Sequence, residues 1–151
     1  MEPITSFSGQ HFFLSNFYPV SVTYEGIWYP TSEHAYVAAK TLDPIIREKV
    51  ALVPSAGQVK KFGRKIDLRE DWENVKVAEM RKILENKFSP FRSDVPIRSW
   101  LDATVPRQLI EGNTWGDTFW GQCPIGTGKN MLGKLLMSIR DDITWKFSVG
   151  D

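Results

Sequence analysis

Apolar residues recur at helical spacing in two stretches of the chain. Val77, Met80, Leu84 and Phe88 fall at i, i+3, i+7 and i+11, one stripe on a helix expected from Trp72 to about Phe88 with Asp71 as its cap. Leu132, Leu135, Leu136, Ile139 and Ile143 form a second stripe, on a helix that should start at Asn130. Shorter helices follow from the punctuation between them. Thr31 or Ser32 is placed to cap one from about Glu33 to Leu42, which Pro44 interrupts before another from about Ile45 to Val53. Ser55 opens a short helix through Lys61 that ends near Gly63, and Pro96 to Ala103 reads as a further helix. The first thirty residues read as extended, with alternation from Val20 to Tyr29 broken by a hairpin turn at Glu25-Gly26. Arg107 to Ile110 reads as one more strand. Strand and helix do not alternate, which disfavours a doubly wound parallel sheet. The expectation is an α+β, helix-dominated single domain over residues 1–151, with a small antiparallel sheet built from the N-terminal segments.

Composition narrows the class of partner. Lys and Arg number 19 against 18 Asp and Glu, a net charge of +1, so no global field gathers duplex nucleic acid. A single cysteine, Cys123, excludes an intramolecular disulfide and fits a reducing compartment. No apolar run approaches the ~18 residues of a membrane span. The opening Met-Glu-Pro-Ile-Thr also lacks the basic and apolar segments of a signal peptide. A cytoplasmic protein without membrane attachment is expected. Six tryptophans are the unusual number.

Two of those tryptophans sit in Glu111-Gly-Asn-Thr-Trp-Gly-Asp-Thr-Phe-Trp-Gly121. A pocket for a flat polar ligand needs such a mixture: rings to stack on, amides and carboxylates to read edges, glycines to admit backbone. A glycine-rich turn carrying core aromatics explains it about as well. In Thr31-Ser-Glu-His-Ala-Tyr-Val-Ala-Ala-Lys40, helical spacing puts Glu33, Tyr36 or Val37, and Lys40 on one face. A carboxylate and an amine on one stripe can reach the same bound molecule, although a solvated face with an acidic start and a basic end is the commoner arrangement. Gly126-Thr-Gly-Lys-Asn130 resembles the end of a phosphate-binding loop, but Cys123 stands where its first glycine belongs and Asn130 where a hydroxyl would meet magnesium. What survives is a flexible loop opening a helix, an anion site or merely an Asn cap. Lys60, Lys61, Arg64, Lys65 and Arg69 bring five cations together, to bind phosphate or simply to keep a surface soluble. His11 and His34 are the only histidines; no spacing suits zinc, and no strained nucleophile turn is present.

These blocks together resemble the NADAR-domain family, which includes YbiA-like N-glycosidases. Phe7-Ser-Gly with Leu14-Ser-Asn-Phe-Tyr-Pro19 matches its opening motif, and Tyr29-Pro-Thr-Ser-Glu-His-Ala-Tyr36 with Lys40 its central helix. Gly63-Arg64 with Arg69, Asp71-Trp72 and Lys76 match the next block. The aromatic loop is matched by Glu111 to Asp117 and Phe119-Trp-Gly121, and Asn130, Leu132-Gly133 and Leu136-Met-x-Ile-Arg140 close the pattern. Val37 departs from it, standing where the family usually carries Gln.

The resemblance implies hydrolysis of an N-glycosidic bond between ribose and a base, with no metal or organic cofactor. Two small-molecule substrate classes go with it: ribosylated aminopyrimidine phosphates of riboflavin synthesis, and ADP-ribose on guanine. The second makes single-stranded nucleic acid a partner where the modified base is polymeric. A non-catalytic ADP-ribose- or nucleotide-binding module would use the same pocket. Cleavage builds positive charge on the ribose, so the resemblance points to Glu33 first and Asp117 second as stabilising carboxylates. Lys40 would either attack the anomeric carbon as a neutral amine or anchor phosphate or ribose as an ordinary ammonium. Trp115, Trp120 and Trp72 are expected to sandwich the base, and Arg64, Lys65 and the loop up to Asn130 to hold phosphate. Asn16 and Asn113 are expected to read ribose or base edges, with Phe17 and His34 as further substrate contacts.

Overall fold

The computed structural model describes residues 1–148. The chain falls into two compact units, one from Asn16 to Lys87 and one from Met1–Ser15 with Phe88 onward.

The middle unit begins with an antiparallel hairpin, β1 (Val22–Tyr24) against β2 (Ile27–Tyr29), with Thr23 opposite Trp28. Glu25 and Gly26 both have positive φ, 48° and 80°, the geometry whose twist matches that of paired strands. Four helices follow: α1 (Ser32–Ala39), α2 (Pro44–Ala51), α3 (Ala56–Gly63) and α4 (Trp72–Lys87). The Thr31, Asp43 and Ser55 side chains accept amide hydrogens at the first turns of α1, α2 and α3. Helix α1 is buried on nearly every side, with Ala35, Val37, Ala38 and Ala39 at 0–1% exposure. Small side chains there let α2, α3, α4 and the hairpin close around it, so the unit's core forms on α1 with Val22, Tyr29, Val50, Val59, Trp72 and Ile83. Helix α1 stops at Ala39 rather than near Leu42, because Asp43 and Pro44 already start the next helix. Along α4 the buried face is Trp72, Met80, Ile83 and Leu84, with Val77 only half-buried.

The other unit opens with a 3-10 helix, Gly9–Leu14, where the sequence reads as extended. Gly9, at φ 56°, makes the turn, and the His11 amide closes it on the Ser8 carbonyl at 2.9 Å. Helices α5 (Ile97–Asp102), α6 (Met131–Asp141) and α7 (Trp145–Ser148) complete its regular structure. Arg107 to Ile110 forms no strand; Ile4 and Leu109 make an isolated parallel bridge, with Ile4 donating to Gln108 and accepting from Ile110 at 2.8 Å each. A second bridge, Gly112 with Gln122, closes the base of the aromatic loop. On α6, Leu132, Leu135, Leu136 and Ile139 are buried as their spacing predicts, whereas Ile143 lies past the helix and is exposed. Buried guanidiniums tie the ends of these helices: Arg98 donates to the Ile139 and Asp142 carbonyls, and Arg140 to the Arg107 carbonyl.

Candidate active site

In the middle unit, Glu33 and Lys40 sit at opposite ends of α1. Glu33 is 9% exposed in the first helical turn, and its amide donates to the Asn16 carbonyl at 3.0 Å. The Asn16 side chain accepts from the Ser32 hydroxyl at 2.9 Å, so Asn16 pins the start of the helix through both backbone and side chain. Lys40 is the α1 C-cap, and its carbonyl accepts the Arg69 amide at 2.8 Å. Burial lowers the pKa of the Lys40 amine below its usual value; Glu33 pulls the other way, and Arg64 and Lys60 add to the lowering. Carboxylate and amine are thus near enough to feel each other, and two cations from the end of α3 act on the same nitrogen.

Rings line this amine. Its Nζ lies 5.3 Å from the Tyr36 ring centre, and Tyr36 packs at a tilt on Trp72 with centroids 5.4 Å apart. Trp72 is 5% exposed, so within this unit it supports Tyr36 and leaves little face of its own. The Lys60 amine stands 5.8 Å from the Phe17 ring centre. Arg64 and Lys65 are exposed at the end of α3, while Arg69 is engaged by Asp71 at 2.6 Å. His34 is fully buried. Its Nε2 lies 2.9 Å from the Val53 carbonyl, which can only accept, so Nε2 carries the proton; Nδ1 then accepts from the Thr31 hydroxyl at 2.7 Å. Both ring nitrogens are engaged within the protein, and burial holds the imidazole below its ordinary pKa, against the effect of the Val53 hydrogen bond.

In the other unit the predicted polar residues build the aromatic loop. Asn113 is 5% exposed; its Nδ2 donates to the Asp117 carbonyl and its Oδ1 accepts the Asp117 amide. An Asp117 carboxylate oxygen accepts the Phe119 and Trp120 amides at 3.2 and 2.9 Å. Phe119 and Trp120 meet edge to face, and Trp115 is 62% exposed. Asn130 precedes α6 in the left-handed region, at φ 49°, and its side chain makes no cap. Instead Oδ1 accepts the Glu111 amide at 3.0 Å and Nδ2 donates to the Leu109 carbonyl at 2.9 Å. The amides an anion would use at this helix end, those of Asn130, Met131 and Leu132, donate to the carbonyls of Gly121, Phe119 and Trp120. The loop before it is largely exposed, with Ile125 88% exposed, and its hydrogen bonds close back on Cys123. Burial raises the Cys123 thiol, but hydrogen bonds from the Ile125 and Thr127 amides and the Thr127 hydroxyl leave its pKa lowered on balance.

The sequence put Glu33 and Lys40 on one face with Tyr36 or Val37; the structure sets Tyr36 beside the amine, and Ser32, read only as a possible cap, bonds Asn16. Gly63 was read as a helix end and as part of a family block, without a role of its own. The signal available for Tyr36 was its spacing, three and four residues from Glu33 and Lys40 on one helix. Among the described residues, no group of three or more His, Cys, Asp or Glu side chains is placed to hold a metal ion.

Helix α1 thus carries a carboxylate and a partly dehydrated amine, with the Tyr36 ring and the cations of α3 around the amine. The NADAR domain family model matches residues 5–144, and the chain belongs to that family. It is 40% identical over 131 residues to the N-glycosidase YbiA of Escherichia coli, covering 85% of this chain and 79% of that one. An N-glycosidase of Nostoc punctiforme is 34% identical over 134 residues, covering 85% and 83%. A riboflavin biosynthesis protein of Vibrio vulnificus is 38% identical over 135 residues; the match takes in 88% of this chain but 36% of that larger protein. The NMR structure of Escherichia coli YbiA superposes with a TM-score of 0.81 at 36% identity, over 97% of this chain and 86% of that one. The helix-dominated α+β fold is therefore the family's, and the chain is a hydrolase of N-glycosyl bonds.

Proposed function

We propose that the chain is a metal-independent N-glycosidase acting on a ribose phosphate joined to a base, with aminopyrimidine ribotides as the substrate class. The observation that carries this is the Glu33–Lys40 pair on α1, in which the amine is held below its usual pKa by burial and by the cations of α3. Similarity to the Vibrio riboflavin biosynthesis protein supports the choice of substrate. As the bond between C1′ and the base nitrogen breaks, its electron pair leaves with the base and positive charge grows on C1′ and the ring oxygen. The Glu33 carboxylate stabilises that charge. The neutral Lys40 amine forms a bond to C1′, its lost proton passes to the departing base, and water then releases ribose phosphate and regenerates the amine. Arg64 and Lys60 supply positive charge for the phosphate. The lone cysteine supports a reducing, cytoplasmic setting.

Exposed Lys61 and Lys65 beside that cluster favour a second reading, ADP-ribosylated guanine, which carries one more phosphate. The test is incubation of the protein with each substrate in excess chelator, with free base and sugar phosphate identified by mass. Glu33→Gln is expected to lower turnover about 100- to 1000-fold with the fold intact. Wild-type turnover by that variant would remove Glu33 from the mechanism. Reductive trapping of a ribosyl adduct on Lys40 is expected; full activity in Lys40→Met would reduce Lys40 to a bystander.

A further inference from the structure

Helix α3 ends in a glycine where a side chain would collide. A methyl group on Gly63 would lie 2.9 and 3.2 Å from the two γ carbons of Val37 and 3.5 Å from the Lys40 Nζ. Contacts of 2.9 Å do not occur between settled carbon atoms, and Val37, 1% exposed, is part of the unit's core. Gly63 is itself buried. The conformation does not call for glycine, since among the described residues Gly63 is not one of the glycines with positive φ. Close approach of α3 to α1 is what its missing side chain permits. Lys60 and Arg64, one turn before and one residue after, are the cations that act on the Lys40 amine.

We propose that Gly63 is a positioning residue: its bare Cα seats α3 against Val37 and thereby fixes the Lys40 amine in a dehydrated place on the face of α1 that carries Glu33, within reach of the Lys60 and Arg64 charges. The inference rests on the reading of Lys40 as the reacting amine. From α1 the amine is faced by Glu33 and the Tyr36 ring, and from α3 by Lys60 and Arg64. A wedge at position 63 drives those two cations away and lets water reach the nitrogen. Both changes favour the ammonium, so the amine's titration moves up.

The test is a double-mutant cycle of Gly63→Ala and Val37→Ala, with three readouts. These are kcat and KM against pH, the Lys40 titration followed by NMR of lysine side chains, and the unfolding midpoint. Gly63→Ala is expected to lower kcat about tenfold at neutral pH with KM changed less than about threefold, and to move the Lys40 titration up by about half a unit to one unit. Val37→Ala removes the methyls on the other side of the seam, admits water, and moves the titration the same way. In the double variant the new methyl fills part of the space left by Val37, so kcat and titration return toward wild type. An unfolding midpoint that falls while the Lys40 titration stays put in Gly63→Ala would overturn the inference, since the glycine would then serve stability alone. Additive losses in the double variant would overturn it too. If Gly63→Ala fails to fold, recovery in the double variant of what Val37→Ala lost still decides. Lys40→Met separates the two claims: full activity there defeats the catalytic reading of Lys40, whereas an unmoved Lys40 titration in Gly63→Ala defeats only the role of the glycine.

Discussion

Replacing Asn130 by Ala should destabilise the unit that contains α6 by about 3–7 kcal/mol, from two stranded polar groups and an unfavourable backbone angle together. The side chain is 4% exposed and joins two backbone groups of the segment before the aromatic loop, the Glu111 amide at 3.0 Å and the Leu109 carbonyl at 2.9 Å. Truncation strands both, and a buried polar group left without its partner costs about 1–3 kcal/mol. The backbone adds a second term. Asn130 sits at φ 49°, which asparagine tolerates and which costs alanine about 1 kcal/mol or more. The two terms separate experimentally: Asn130→Gly relieves the backbone and keeps the hydrogen-bond loss, so it should be milder than Ala by about 1 kcal/mol. Asn130→Asp keeps an acceptor for the Glu111 amide but sets a carboxylate oxygen against the Leu109 carbonyl, and should fall between wild type and Ala. Urea unfolding of the four proteins, with m-values compared, measures all of this. A loss under about 1 kcal/mol for Asn130→Ala would refute the reasoning. So would equal losses for Ala and Gly, because the strained backbone would then contribute nothing.

Turnover should rise with pH along a limb set by Lys40, with its midpoint below the ordinary 10.5, because burial and the Arg64 and Lys60 charges favour the neutral amine. In the window between that midpoint and 10.5 the unfolded chain binds more protons at Lys40 than the folded one, so this group adds stability as pH rises, and Lys40→Met should abolish both trends. For His34, whose folded pKa lies below 6.5, stability should fall as pH drops through 6.5, as the unfolded chain takes up the proton first. Urea midpoints against pH for wild type and His34→Gln check this, and an unchanged acid slope in the variant would assign it to other groups. Gly133→Ala should lose about 2 kcal/mol or more, since its methyl would run into the Leu109 carbonyl and the Asn130 side chain. A loss within 0.5 kcal/mol, about the range of a neutral surface change, would show that α6 can shift to make room.

What could be read in advance was what neighbours in sequence decide. Thr31 and Ser55 accept the amide of the residue three positions on, and such contacts form whatever the rest of the chain does; the same local signal at Asp43, which caps α2, went unread. The hairpin at Glu25-Gly26 was legible for the same reason. Arg107 to Ile110 was misread because a strand exists only where a partner strand lies beside it, and here a single residue, Ile4, pairs with it. Asn130 was misread in a related way. Its position marks the helix start correctly, but its side chain serves residues 19 and 21 positions back, Glu111 and Leu109, which spacing along one helix cannot reveal.

The same division runs through the candidate site. Glu33 and Lys40 share a helix, so their common face follows from 3.6 residues per turn. What lowers the amine's proton affinity comes largely from beyond that helix: its burial first, then the Arg64 and Lys60 charges. A family motif carries the first kind of information in a contiguous block and scatters the second. In the proposed mechanism the pair depends on the seam between α1 and α3, where Val37 meets the bare Cα of Gly63. On that proposal, a larger side chain at either position leaves the carboxylate and the amine in the sequence but is expected to change the amine's proton affinity.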